Sequence, residues 1–123
     1  AWDDGPRQPQ ALARFFVDHD RNTAEAVVLA EEAARLRREI FTLDTLAAAY
    51  WKAGRHVDAP RATDDAMRTG TRDARVLWHA AEIAAASGDA ALARERLARI
   101  PALNAIGDLT VLSGAQALEQ RLR

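Results

Sequence analysis

The chain has 123 residues, 49% of them apolar, which suits a single domain with a real hydrophobic core. Its 17 basic and 18 acidic residues leave a formal net charge of −1, a balance that argues against a general electrostatic grip on nucleic acid or an anionic membrane. There is no cysteine, which excludes disulfides and cysteine-ligated zinc and fits a reducing compartment, with the cytoplasm favoured.

The chain opens on Ala1-Trp2 rather than methionine, which reads as a trimmed fragment or excised domain. No basic-then-apolar signal segment precedes the first element. Residues 1–9 (AWDDGPRQP) hold two prolines and a glycine and read as an irregular lead-in, with Trp2 packing on the first helix or belonging to a neighbouring segment. From Gln10 onward alanine, leucine, arginine and glutamate dominate, all helix formers. β-branched runs are nearly absent, so strands are not expected. Helices are predicted near 9–19, 23–38, 40–53, 57–69, 73–87, 90–99 and 109–122. "DHDRNT" (18–23) is a polar turn with Asn22 or Thr23 as N-cap. Gly54 and Gly88 suit the left-handed residue that follows a helix. "TGTRD" (69–73) joins Gly70 to an Asp73 cap, and Pro101 ends the sixth helix. Pro60 falls in the first turn of the fourth helix, where the amide it lacks has no intrahelical acceptor. No apolar run approaches the ~20 residues needed to cross a bilayer.

A period emerges once the elements are set in register. Gly54 and Gly88, Ala59 and Ala93, Leu43 and Leu77, and Ala47 and Ala81 are all 34 residues apart. Residues 40–73 and 74–107 therefore read as two copies of one helix–turn–helix unit. Residues 10–39 read as a third copy, with Ala26 matching Ala59 at a spacing of 33. In each copy the apolar stripe has helical spacing: Leu43, Leu46, Ala47 and Tyr50, then Leu77, Ala80, Ala81 and Ala84. Alanine at the crossings lets the two helices of a hairpin approach closely. One hairpin cannot bury its own apolar faces, so copies must stack.

On these residues the chain resembles the tetratricopeptide repeat family over roughly residues 10 to 107. The family pattern is carried by Leu43, Leu46, Ala47, Tyr50, Gly54, Ala59, Thr63 and Ala66, and again by Leu77, Ala80, Ala81, Ala84, Gly88, Ala93, Leu97 and Ile100. There are departures. Leucine stands where the family has tryptophan, Thr63 replaces an aromatic, Thr71 and Ala105 replace the closing proline, and the first copy lacks the bend glycine. The resemblance implies an all-α, right-handed superhelical stack of about three hairpins over 10–123. Residues 108–123 would be a C-terminal capping helix whose face is Leu109, Leu112, Ala115, Leu118 and Leu122. It also implies that the first helix of each pair lines a concave inner wall.

That wall would carry Phe15 and His19 from the first copy, then Phe41, Asp44, Ala48, Trp51 and Lys52. The last copy would add Arg75, Trp78, His79 and Glu82. Trp51 and Trp78 sit off the leucine stripe, among mixed charges, as aromatic anchors of a binding surface do. The competing reading has them filling gaps between repeats. Asp44, Ala48, Trp78 and Glu82 stand where relatives that clamp a chaperone's free carboxyl end carry lysines and asparagines, so an acidic C-terminal ligand is not expected on this wall.

Chemistry has little support in the sequence. "DHD" (18–20) groups two carboxylates and an imidazole, but adjacent helical residues point about 100° apart and do not converge. His56 lies in a bend and His79 on another hairpin. Asp64 and Asp65, and the run "EEAARLRRE" (31–39) with its Glu31–Arg35 spacing, read as solvated faces. Arg94, Arg96, Arg99, Arg121 and Arg123 make the last third more basic, diluted by Asp89, Glu95 and Glu119. No serine elbow, phosphate-cradling glycine loop or zinc-protease motif is present. The expectation is a non-enzymatic scaffold without cofactor or metal that binds a protein or peptide, with self-association possible and neither nucleic acid nor membrane as partner. The alternative is a structural or dimerising segment of a larger enzyme or regulator, with no groove in use.

Overall fold

A computed structural model of the chain describes residues 9–19, 21–101 and 108–123. Trp2, Asp20 and Ala105, which the sequence reading singled out, lie outside the described residues. Among the described residues the chain is all helical: α1 (Pro9–Asp18), α2 (Thr23–Leu36), α3 (Ile40–Lys52), α4 (Asp58–Met67), α5 (Ala74–Ala86), α6 (Ala90–Ala98) and α7 (Leu109–Arg121).

The helix boundaries follow from local chemistry. Asp73, Asp89 and Asp108 are N-caps whose carboxylates accept from the backbone amides of Val76 (3.0 Å), Leu92 (3.0 Å) and Thr110 (2.9 Å). Asn22 precedes α2 in the left-handed region at φ 47°, a conformation asparagine tolerates better than most residues. Before α3, the Glu39 amide donates to Thr42 Oγ1 at 3.1 Å, while the Thr42 hydroxyl lies 2.8 Å from the Glu39 carbonyl. Pro60 occupies the first turn of α4, as expected. Helix α2 stops at Leu36 rather than 38, and α4 at Met67 rather than 69.

The two bends 34 residues apart have one geometry. After α3 the Gly54 amide donates to the Trp51 carbonyl and the Arg55 amide to that of Tyr50; after α5 the Gly88 amide donates to Ala85 and that of Asp89 to Ala84. Both are Schellman closures, with Gly54 at φ 81° and Gly88 at φ 88°.

The chain divides into two compact units, Ala1–Ala66 and Met67–Arg123. The boundary falls at the end of α4, inside the second predicted repeat. In the first unit α1, α2 and α3 pack mutually; in the second α5, α6 and α7 do. Short connections between packed helices make α1 and α2, and α2 and α3, antiparallel, so α1 and α3 run the same way.

Alanine builds most of this core. Ala13, Ala26, Ala30, Ala47, Ala59, Ala81 and Ala93 are all within 1% of complete burial. In the second unit Leu77, Ile100 and Ala115 form a cluster flanked by Trp78, Leu97, Met67 and Ala74. One expectation is corrected here. Leu109 does not join the buried face of α7; it is 77% exposed, and Val111 is buried with Ala115 and Leu118. Residues three apart are offset by about 60°, so Leu109 and Leu118, nine apart, face opposite sides of the helix. The stripe 111, 115, 118 stays on one side.

A Cβ at Gly54 would meet nothing within 4 Å, so a substitution there is opposed by backbone conformation alone. Gly54→Val should lower stability by about 1–2 kcal/mol or more, and Gly54→Asn by less, measured by thermal melting. An unchanged melting temperature for the valine variant would contradict the left-handed bend.

Candidate functional site

The predicted wall residues separate into two groups with different surroundings. In the first unit, α1 and α3 are pinned together by Arg14. Its guanidinium bonds Asp18 within α1 (3.0 Å) and reaches Asp44 (3.3 Å) and Thr45 (3.4 Å) on α3. Asp44 is therefore not a wall residue open to a ligand. It is 8% exposed and turned toward α1, because a carboxylate at a helix contact needs a cationic partner to be buried there. Ala48 is half-buried.

Phe15 and Phe41 remain exposed, at 47% and 49%. The His19 ring lies 4.2 Å from that of Phe15, and His19 Nδ1 sits 2.8 Å from the Phe15 carbonyl, where a protonated Nδ1 donates. Phe16 meets Phe15 edge-on at 6.1 Å. Trp51 is half-buried and stacked on His56, with ring centroids 4.1 Å apart and planes 26° apart. Lys52 is exposed.

The charge run of α2 contains a link that sequence reading missed. Glu31 is not simply a solvated partner of Arg35. Its carboxylate accepts from the Tyr50 hydroxyl at 2.7 Å and lies 3.7 Å from Arg55. The Arg55 guanidinium stands 4.5 Å over the Tyr50 ring and also bonds Asp58 at 2.9 Å. Burial, then the hydrogen bond to Glu31 and its negative charge, push the Tyr50 phenol up to about 12. Arg38 reaches Asp65 at 2.9 Å, so Asp65 is also engaged.

In the second unit, α7 occupies the expected wall. Arg75 pairs with the N-cap carboxylate Asp108, and that hydrogen bond, with those from the Val111 and Thr110 amides, holds Asp108 below the usual carboxylate range. The Trp78 indole packs closely against Gly114, and its N–H donates to Glu82 at 3.1 Å. Glu82 in turn accepts from Arg121 at 2.9 Å. Positions 75, 78 and 82 form one helical face, and that face docks the C-terminal helix. Trp78 and Glu82 thus contact α7, and Arg75 stays exposed while it pairs with Asp108. His79 is half-buried beside Trp78, with ring centroids 5.0 Å apart. Gly114, inside a helical pattern, was the available signal: a mid-helix glycine costs about 1 kcal/mol and asks for a packing reason.

Among the described residues no group of three or more histidines, aspartates or glutamates is placed to hold a metal ion, and no helix is long and apolar enough to cross a membrane. Comparison with family models, with curated proteins and with solved structures returned no match to this chain.

Gly114→Ala tests the docking of α7. In an open helix the change stabilises by about 1 kcal/mol. Here the new Cβ would overlap Trp78 Cζ2 and Cε2 and sit 2.8 Å from Nε1. Urea unfolding should show a loss of about 1–3 kcal/mol, and the same change in a Trp78→Leu background should be neutral or stabilising. A stabilising Gly114→Ala in the wild-type background would show that the two residues do not pack.

Tyr50 is the one tyrosine in the chain, so its titration can be read directly from tyrosinate absorbance. The midpoint should lie near 12 in the folded protein and near the ordinary value of about 10 in denaturant. Because the folded value is the higher one, the contribution of the neutral phenol is complete below about pH 10 and is lost as pH rises toward the folded value. Glu31→Gln should lower the midpoint only part of the way, since burial is the larger cause. A folded midpoint near 10 would show that the phenol is neither buried nor bonded to Glu31.

Proposed function

We propose that this chain is a protein- or peptide-binding module of the tetratricopeptide-repeat type, a right-handed stack of helical hairpins closed by α7. Supporting this reading are the 34-residue register, the matching Schellman bends at Gly54 and Gly88, and the fully buried alanines Ala59 and Ala93 that follow each bend. The observation that carries the binding function is the exposure of Phe15 and Phe41 on neighbouring helices that run the same way. Large aromatics left half in water add no core stability, and they are the side chains that anchor interfaces. His19, Trp51 and Lys52 complete the face in the first unit.

The test compares wild type with Phe15→Ala/Phe41→Ala, after circular dichroism shows both to be folded. Truncating an aromatic anchor costs ~2 kcal/mol, about thirtyfold in affinity. A partner captured by the wild type and quantified by mass spectrometry should therefore be lost by the variant. Identical partner sets would sink the aromatic-face reading. A tight dimer that the same double substitution dissociates would replace an external partner with a second copy of the chain.

A further inference from the structure

The second unit carries two hollows whose linings share Ala98, at the end of α6. One, of about 390 Å³, is lined by Gly70, Thr71, Arg72, Ala98 and Arg99. The other, of about 330 Å³, is lined by Arg94, Leu97, Ala98, Glu119, Leu122 and Arg123. None of the lining residues belongs to the first-helix wall on which an acidic ligand was not expected.

The groove's chemistry is uneven in a useful way. Leu97 and Leu122 are half-buried and form an apolar floor. Arg94 is committed to the fold, donating to the Leu122 carbonyl at 2.9 Å. Arg72, Arg99 and Arg123 are exposed, and their guanidinium groups form no ion pair among the described residues. The Thr71 oxygen accepts from the Asp73 amide at 3.1 Å, which leaves its hydroxyl proton to donate. Opposing an anion is the C-terminal end of α6, but its charge is roughly half a unit against two full guanidinium charges. Glu119 repels a second carboxylate placed over the leucines and so sets a register: anion at the Arg72–Arg99 end, aliphatic side chain over Leu97 and Leu122.

We propose that this groove binds an acidic peptide segment in which carboxylates flank an aliphatic side chain. The inference rests on the reading of the chain as a peptide-binding module and assigns that module a second surface with its own ligand chemistry. Carboxylates seat on the forked guanidiniums of Arg72 and Arg99, the aliphatic group covers the leucine floor, and Arg123 takes a further carboxylate at the rim. A nucleic-acid strand fits less well. The lining contains no aromatic ring on which a base could stack, and Glu119 faces the path of the phosphates.

The experiment is fluorescence anisotropy on the full chain, with a short labelled peptide alternating glutamate with leucine. The controls are its lysine-for-glutamate counterpart and a single-stranded oligonucleotide. The expected result is binding of the acidic peptide alone, weakened at least about tenfold by Arg72→Glu/Arg99→Glu and weakened by salt. Arg72→Gln/Arg99→Gln should give a smaller loss and covers the case in which charge reversal disturbs folding. Equal binding by wild type and both arginine variants would overturn the proposal, as would no binding by folded wild type, equal binding of the lysine peptide, or preference for the oligonucleotide. Phe15→Ala/Phe41→Ala should leave this binding unchanged. That separates the two surfaces: absence of acidic-peptide binding in a protein that still loses its partner on aromatic truncation removes the groove alone. Retained partners after aromatic truncation, with arginine-dependent peptide binding intact, remove the aromatic face alone.

Discussion

The rest of the structure depends on the close approach of helices over alanine. Ala13, Ala26, Ala30, Ala47, Ala81 and Ala93 are all within 1% of complete burial. Alanine favours the helix and loses no side-chain entropy on burial, yet it removes little apolar area from water. Each hairpin is therefore cheap to form and only weakly stabilised by its own contacts. Stability then depends on the third helix of each unit, which packs on the other two. The close approach also explains why the bends are so similar. With interhelical distance set by alanine, the chain must reverse within a few residues, and a glycine at positive φ is the economical way to do it.

Specific polar and aromatic links then fix which helices are neighbours. Arg14 joins α1 to α3 through the nearly buried Asp44. The Tyr50 hydroxyl joins α3 to Glu31 on α2, with Arg55 from the bend lying over the ring. Arg75, Trp78 and Glu82 join α5 to the N-cap, the middle and the end of α7. The exposed pair among them, Arg75 with Asp108, adds little energy by itself. The effect of these links is on specificity, because alanine surfaces are nearly featureless and would accept several helix registers.

Docking α7 settles a competition for one face of α5. A helix laid against Trp78 and Glu82 contacts side chains that the sequence equally offered to a ligand. The positive charge near the C-terminus is likewise divided by role. Arg121 and Arg94 hold α7 in place, whereas Arg72, Arg99 and Arg123 face the hollows beside α6. A net charge of −1 conceals this separation, because composition sums over the surface and a ligand meets only part of it.

The sequence by itself determined the helical class, the bounds of the seven helices among the described residues to within two residues, and the 34-residue register. It also determined the cap at Asp73 and the left-handed glycines Gly54 and Gly88. Each of these is a local property, set within one or two helical turns by propensity, capping and backbone sterics. The leucine and alanine stripes of α3 and α5 were legible for the same reason, since a single helix displays its own periodicity. What only the tertiary structure decided was the use of each remaining face. Asp44 turned inward because Arg14, thirty residues away, came to meet it. Glu31 left its solvated row because Tyr50 was brought within hydrogen-bond reach. Trp78 met α7 because a glycine there left room for its ring. A polar or aromatic residue on a helix can serve solvent, a ligand or a neighbouring helix equally well until the neighbour arrives, and pairings of that kind have no signature in local sequence.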